Sequence, residues 1–266
     1  MIIDGKKIRD KILEELKEKI QKNNLNLKLG IIVVGQNPVI EKFVYFKKET
    51  AKKLGIDFLE FRFNEDEENL ENKILEKIQE IKIQVNGLVV QLPLPKNINT
   101  EKILKSIPEN LDVDLLSGKI KSDEILAPVT GAVWEILKRN QVVLEDKIMV
   151  IVGKGKLVGL PTYEFFKNKV KEIILVDSKT EKPEEEFKKA DILISGVGIP
   201  NLIKKENLKN DIILIDAGTA TENKKVVGDI DYSCEEKAKI FSRTPNGVGP
   251  ITIAILFKNL ILLSEK

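Results

Sequence analysis

Short runs of unbroken apolar residues, separated by stretches with helical periodicity, most constrain what this chain can fold into. "LGIIVVG", "NGLVVQLPLP", "KIMVIVG", "EIILVDS", "DILISGVG" and "DIILIDAGT" each read as a strand buried on both faces. "DFLEFRF" alternates instead, as a half-buried strand does. Between the strands, Ile8, Ile12, Leu16 and Ile20 recur every fourth residue and predict an amphipathic helix over 6–22. Leu70, Ile74, Ile78 and Ile81 predict another, and further helices are expected at 38–54, 130–140 and 157–168. Strands alternating with helices imply an α/β fold with mostly parallel sheet covered on both faces. The pattern weakens in "PENLDVDLLSGKIKSDEILAP", a crossing between domains, so two α/β units are expected, followed by the apolar helix "GPITIAILFKNLILLSEK".

Composition then removes whole classes of function. No apolar run reaches membrane-spanning length, and "MIIDGKKIRDKILEEL" lacks a signal-peptide core, so a cytoplasmic address and no membrane partner are expected. Cys234 is the single cysteine and histidine is absent, which leaves no basis for a cysteine zinc cluster, a disulfide or a histidine general base. No metal site is expected, and catalysis must rest on lysine, carboxylates or a cofactor. The 44 Lys and Arg residues nearly balance the 42 Asp and Glu residues, and the two signs interleave along the helices. With only Arg9, Arg62, Arg139 and Arg243 for bidentate recognition, no nucleic-acid partner is expected.

"IMVIVGKGKLVGLP" is the strongest local motif. A buried strand ends at Gly153, Gly155 and Gly159 follow, and a helix opens near Leu157. Glycines at such a turn let a pyrophosphate approach the helix amino terminus, where free N–H groups and the dipole favour negative charge. Asp177, at the end of the next strand, suits a ribose hydroxyl; it would repel a 2′-phosphate, which Lys154 and Ser178 could hold. The turn lacks the GxxxxGK[ST] order of a P-loop.

"IIDGK", "VVGQNP", "GLVVQLPLP", "DVD", "GKGKLVGLP" and "NGVGPIT" occur in an order and spacing that covers nearly the whole chain. Together they resemble the bifunctional methylenetetrahydrofolate dehydrogenase/cyclohydrolase enzymes of one-carbon metabolism. The resemblance implies residues 1–117 plus 250–266 as a folate-binding catalytic domain, with the carboxy-terminal helix packing back on it, and 118–249 as a Rossmann-like dinucleotide domain. It implies a tetrahydrofolate derivative as substrate, NADP as cofactor with NAD open because of Asp177, and a homodimer.

By the same resemblance Lys47 takes the place of the catalytic lysine, Gln91 that of the glutamine that positions it, and Asp114 that of the pterin-holding aspartate. Phe43, Gly249 and Pro250 join Asp114 on the substrate side, and Gly196 joins Gly153, Lys154, Gly155, Gly159, Asp177 and Ser178 on the cofactor side. Lys48 lies about a hundred degrees around the helix from Lys47, and Asp112 is expected to support its own loop.

The chain departs from the family pattern at several positions. Phe43 replaces a tyrosine, keeping an aromatic wall without its hydroxyl, and Tyr45, two helical steps on, points almost oppositely. Ile40 replaces a small polar residue, Leu115 a glycine, Gly155 a serine, and Asn246 a glycine whose left-handed backbone it can share; "APVTGAV" matches only loosely. Two other readings stay open at this level: a Rossmann oxidoreductase acting on a small keto or amino acid, and a non-catalytic folate or nucleotide sensor.

Overall fold

A computed structural model describes residues 1–119, 122–222 and 225–265. The chain divides into two compact units, one of Lys11–Leu126 with Ile253 onward, the other of Met1–Asp10 with Ala127–Thr252.

The first of these contains α1 (Gly5–Lys22, from Lys11 on), β1 (Lys28–Val34), α2 (Pro38–Leu54), β2 (Asp57–Phe63), α3 (Leu70–Ile81), β3 (Gly87–Val90) and α4 (Thr100–Ser106). Its sheet is parallel, in the order β2-β1-β3, with Gly30 of β1 in register with Leu59 and Leu88. After Lys28, every residue of the central strand β1 is buried, as an unbroken apolar run demands. Edge strand β2 is only partly covered, which its alternating sequence anticipates. Leu70, Ile74, Ile78 and Ile81, one stripe of α3, pack into a common core with Ile32, Val34, Leu88 and Val90.

The second unit holds α5 (Pro128–Arg139), β4 (Ile148–Val152), α6 (Gly159–Phe166), β5 (Glu172–Val176), α7 (Pro183–Lys189), β6 (Ile192–Ser195) and β7 (Ile212–Asp216). The short antiparallel pair of β8 (Ala220–Glu222) and β9 (Lys225–Val227) follows, then β10 (Ala238–Ser242) and the start of α8 (Val248–Ser264). Five parallel strands run in the order β10-β7-β6-β4-β5. Beginning from β4, the chain builds first to one side and then to the other. The order therefore reverses between β4 and β6, and ligands of open α/β sheets bind outside the carboxyl ends of the strands at such a reversal.

Met1–Asp10 join this unit, and the boundary lies at 126/127, whereas the sequence reading keeps 1–117 together. The reason is β10, which the apolar pattern does not announce. Phe241 N–H donates to Met1 O and Ile3 N–H to Phe241 O, both at 2.9 Å, and Gly5 N–H donates to Asn246 O at 2.9 Å. Gly5 is required there, because a Cβ would stand 1.8 Å from the Gly247 carbonyl oxygen.

Helix α8 is apolar on nearly all sides and buried along most of its length, as such a helix must be. From Ile253 onward it belongs to the first unit, so the carboxy-terminal helix does pack back onto it. Its one buried amide, Asn259, donates through Nδ2 to Val113 O at 2.9 Å and Leu126 O at 2.8 Å.

Candidate active site

Lys47 and Gln91 are 44 residues apart and meet because α2 and the end of β3 flank the same sheet. Lys47 Nζ donates to Gln91 Oε1 at 2.8 Å. The strand ladder ends at Val90, but Gln91 N–H still donates to Ile32 O at 2.9 Å, which fixes the backbone from which the amide projects. The Gln91 side chain is buried, and its Nε2 donates to Leu92 O at 2.9 Å. That second bond orients the amide so that its oxygen faces the lysine.

Asp114 completes the group electrostatically. Burial pulls the Lys47 ammonium below the usual lysine range, and the Asp114 carboxylate opposes that fall. Burial pushes Asp114 up from the usual carboxylate range, with Lys47 opposing the rise and Asp112 adding to it. Asp112 itself is fully buried and accepts from Leu116 N–H at 3.1 Å and Ser117 N–H at 2.7 Å, so it does tie down its own loop. Lys48, by contrast, is exposed and pairs with Glu60 at 2.8 Å in water.

In the other unit the glycine-rich turn spans residues 153–158, and α6 opens at Gly159, two residues later than predicted. Gly153 has φ +100°, open to glycine alone in practice, and a Cβ on Gly159 would stand 1.8 Å from Gly153 O. Gly155 differs, because a Cβ there would meet no atom within 4 Å. Gly153 and Gly159 thus serve the backbone, and Gly155 faces open space beside a helix amino terminus, which suits a pyrophosphate. Gly196 follows β6 across the reversal point, and a Cβ on it would strike Val158 at 2.5 Å. Lys154 Nζ pairs with Asp177 Oδ2 at 2.8 Å. That ammonium, with the Lys179 N–H at 2.9 Å, holds the Asp177 carboxyl below its usual range. Ser178 is exposed beside them. Gly249 and Pro250 lie in the first turn of α8. The residues present therefore fit an NAD(P) molecule.

Two family models match: "Tetrahydrofolate dehydrogenase/cyclohydrolase, catalytic domain" over residues 3–114 and "Tetrahydrofolate dehydrogenase/cyclohydrolase, NAD(P)-binding domain" over residues 128–266. The chain belongs to the tetrahydrofolate dehydrogenase/cyclohydrolase family. It is 35% identical to the Bifunctional protein FolD of Acetivibrio thermocellus, over 98% of this chain and 95% of that protein. With the protein of the same name from Thermodesulfovibrio yellowstonii the identity is 36%, over 99% and 96%. The crystal structure of the bifunctional enzyme FolD, a methylenetetrahydrofolate dehydrogenase/cyclohydrolase from Campylobacter jejuni, superposes with a TM-score of 0.93 at 31% identity and covers 98% of that chain and 100% of this one.

Within the family's catalytic-domain match fall Lys47, Gln91 and Asp114, and within its NAD(P)-binding match fall the 153–159 turn and Asp177. The departures from the family pattern have structural addresses. Phe43, one turn before Lys47, is 42% exposed, and Ile40 is buried. Leu115 has φ +57°, a left-handed conformation that suits the glycine it replaces and strains a leucine by about 1–2 kcal/mol. Asn246, at φ +76°, adopts the conformation expected of it.

Sequence reasoning passed over three fully buried polar side chains that hydrogen-bond to the backbone within these units: Asn259, Asp216 and Asp229. The available signal was an isolated amide in "AILFKNLILL" and acids set between apolar residues and glycine in "LIDAG" and "VGDID".

Proposed function

We propose that this chain oxidises methylenetetrahydrofolate to methenyltetrahydrofolate with NAD(P), and hydrolyses the methenyl compound to formyltetrahydrofolate, through Lys47, Gln91 and Asp114. The observation that carries the assignment of residues is the 2.8 Å hydrogen bond from Lys47 Nζ to Gln91 Oε1. NAD(P), when bound, supplies the acceptor for the hydride that leaves the methylene carbon. The chain's part in that step is alignment, which needs no histidine. The 153–159 turn would hold the pyrophosphate, Asp177 would meet the ribose, Lys154 and Ser178 would hold a 2′-phosphate, and Gly196 would border the crevice.

In the second reaction water adds to the methenyl carbon, the ring C–N bond opens and one proton is released. Lys47 manages that proton, because a lysine kept below its usual pKa by burial exchanges protons nearer neutrality than a solvated one. Gln91 fixes the position of its nitrogen. Asp114, an acceptor, holds the N–H donors of the pterin. Phe43, Gly249 and Pro250 complete the substrate side. We assign the folate-binding role to residues 1–117 with 250–266 and the dinucleotide role to 118–249. A cytoplasmic homodimer that supplies formyl groups for purine biosynthesis is the setting that the family resemblance favours. Among the described residues, no helix is long and apolar enough to cross a membrane.

The test is a pair of neighbours. Lys47→Met is expected to lower the rate of ring opening by about a hundredfold or more while folate binding stays measurable. Lys48→Met, which removes only a solvated ion pair, is expected to leave that rate within about twofold. Greater damage from Lys48→Met would assign the chemistry to the wrong face of α2.

A further inference from the structure

Two fully buried carboxylates lie at the carboxyl edge of the five-stranded sheet, and nothing in the proposed chemistry uses them. Asp229 Oδ2 accepts from Ser195 Oγ at 2.7 Å and Val197 N–H at 2.8 Å, and its Oδ1 accepts from Ile199 N–H at 2.8 Å. Asp216, at the end of β7, accepts through Oδ1 from Gly218 N–H at 3.0 Å and Asp229 N–H at 3.1 Å, and through Oδ2 from Ile230 N–H at 3.2 Å. The side chains of Ser195, Asp216 and Asp229 have no exposed surface. Burying a carboxyl group is costly without such donors, so this arrangement is specified rather than incidental.

The glycines opposite show how closely the two acids interlock with the backbone. A Cβ on Gly218 would stand 2.1 Å from the Asp229 carboxyl, and one on Gly228 would stand 1.8 Å from Asp216 Oδ2. Each acid therefore occupies the space left by a glycine beside the other. The web leads in one direction: Asp216 holds the backbone N–H of Asp229, and Asp229 holds the turn 195–199 that follows β6.

That turn is one wall of the crevice at the β4/β6 reversal. A Cβ on Gly153 would meet Val197 at 2.6 Å, and Gly196 abuts Val158. Gly198 carries φ +73°, so the turn relies on a conformation that only glycine adopts freely. Any shift of the 195–199 backbone would move atoms that face the glycine-rich loop.

We infer that Asp229, braced by Asp216, is a positioning residue for the dinucleotide site: it fixes the 195–199 turn through three donors so that the crevice opposite the 153–159 loop is preformed. The inference rests on the dinucleotide reading given above. Because Asp229 touches neither Lys47 nor Gln91 and lies in the other unit, ring opening of methenyltetrahydrofolate, which consumes no dinucleotide, should be independent of it.

Asp229→Asn keeps the shape but turns an NH2 toward at least one N–H donor. The Kd for the reduced dinucleotide, read by its own fluorescence, and the dehydrogenase KM for the oxidised form should each rise about tenfold or more, the cost of one or two mispaired buried donors. The dinucleotide-free ring-opening rate and the KM for folate should stay within about twofold. Gly218→Ala, which forces the carboxylate aside, should change the same quantities in the same direction. Ser195→Ala, which removes one donor and is the mildest of the three, should raise the dinucleotide KM about threefold and decides the matter if the other two do not fold. Dinucleotide Kd and KM unchanged in every variant that folds, or ring opening falling in step with dehydrogenation, would overturn the inference. A parent protein that opens the methenyl ring but binds no dinucleotide would instead overturn the reading on which it rests.

Discussion

Lys47 keeps its nitrogen on the Gln91 amide in a half-buried setting, whereas Lys48 spends its charge on Glu60 in water. The difference is one of solvation. Removing an ammonium from water favours its neutral form, and a nearby carboxylate restores the charged one. For Lys47 burial is the larger influence, and Asp114 is the brake on it. In Asp114→Asn the brake is gone, so the Lys47 pKa should fall further, and the limb of the kcat–pH profile for ring opening that rises with Lys47 deprotonation should move to lower pH. The profile of the parent and the variant, measured at saturating methenyl substrate, checks this; an identical midpoint would uncouple the two groups. From the sequence, Lys47 was one of 40 lysines (44 basic residues less four arginines), and only the spacing of the whole "VVGQNP…FK" segment singled it out. Its partner lies 44 residues away, and no local pattern encodes such a meeting.

Elements were legible wherever burial alone determines them. An unbroken apolar run such as "IMVIV" has one way to satisfy both its faces, and the four-residue stripe of α3 has one face to bury. Elements that depend on a neighbour for their identity were not. Helix α7 buries only Phe187, and β10 becomes a strand because Met1–Ile3 and β7 border it on either side. The unit of β4, α6 and β5 illustrates how elements set chemistry. It delivers Lys154 and Asp177 from two separate turns into a 2.8 Å ion pair. Lys154 holds the Asp177 carboxyl below its usual range there, and a negative charge at this strand end would accept ribose hydroxyls and repel a 2′-phosphate. Asp177→Ser should therefore remove the repulsion and free Lys154. The ratio of kcat/KM for NADP to that for NAD is expected to rise by about tenfold, a change of about 1.4 kcal/mol. Steady-state rates with each cofactor decide it, and a constant ratio would exclude the pair from cofactor choice.

At the level of the molecule, the first unit is assembled from two stretches of chain separated by the second. The apolar tail was recognisable as a buried helix, but the role of Asn259 within it was not, since a lone amide in such a helix says nothing about which carbonyls it will meet. Those carbonyls belong to Val113 and Leu126, so the helix holds the segment immediately before Asp114. Asn259→Leu would leave both oxygens buried without a donor. We expect a loss of about 2–4 kcal/mol in unfolding free energy by denaturant titration, accompanied by a higher KM for folate and unchanged dinucleotide affinity. A loss confined to stability, with folate KM intact, would show that the helix carries no information to the site.

The same brace ties maturation to the order of synthesis. Strands β1 to β3 leave the ribosome early, yet the helix that covers them is translated only after all of Ala127–Thr252. A nascent chain must therefore carry an uncapped apolar surface throughout the making of Ala127–Thr252, and translation of α8, rather than emergence of the sheet, is the step that completes the unit in which Lys47 lies.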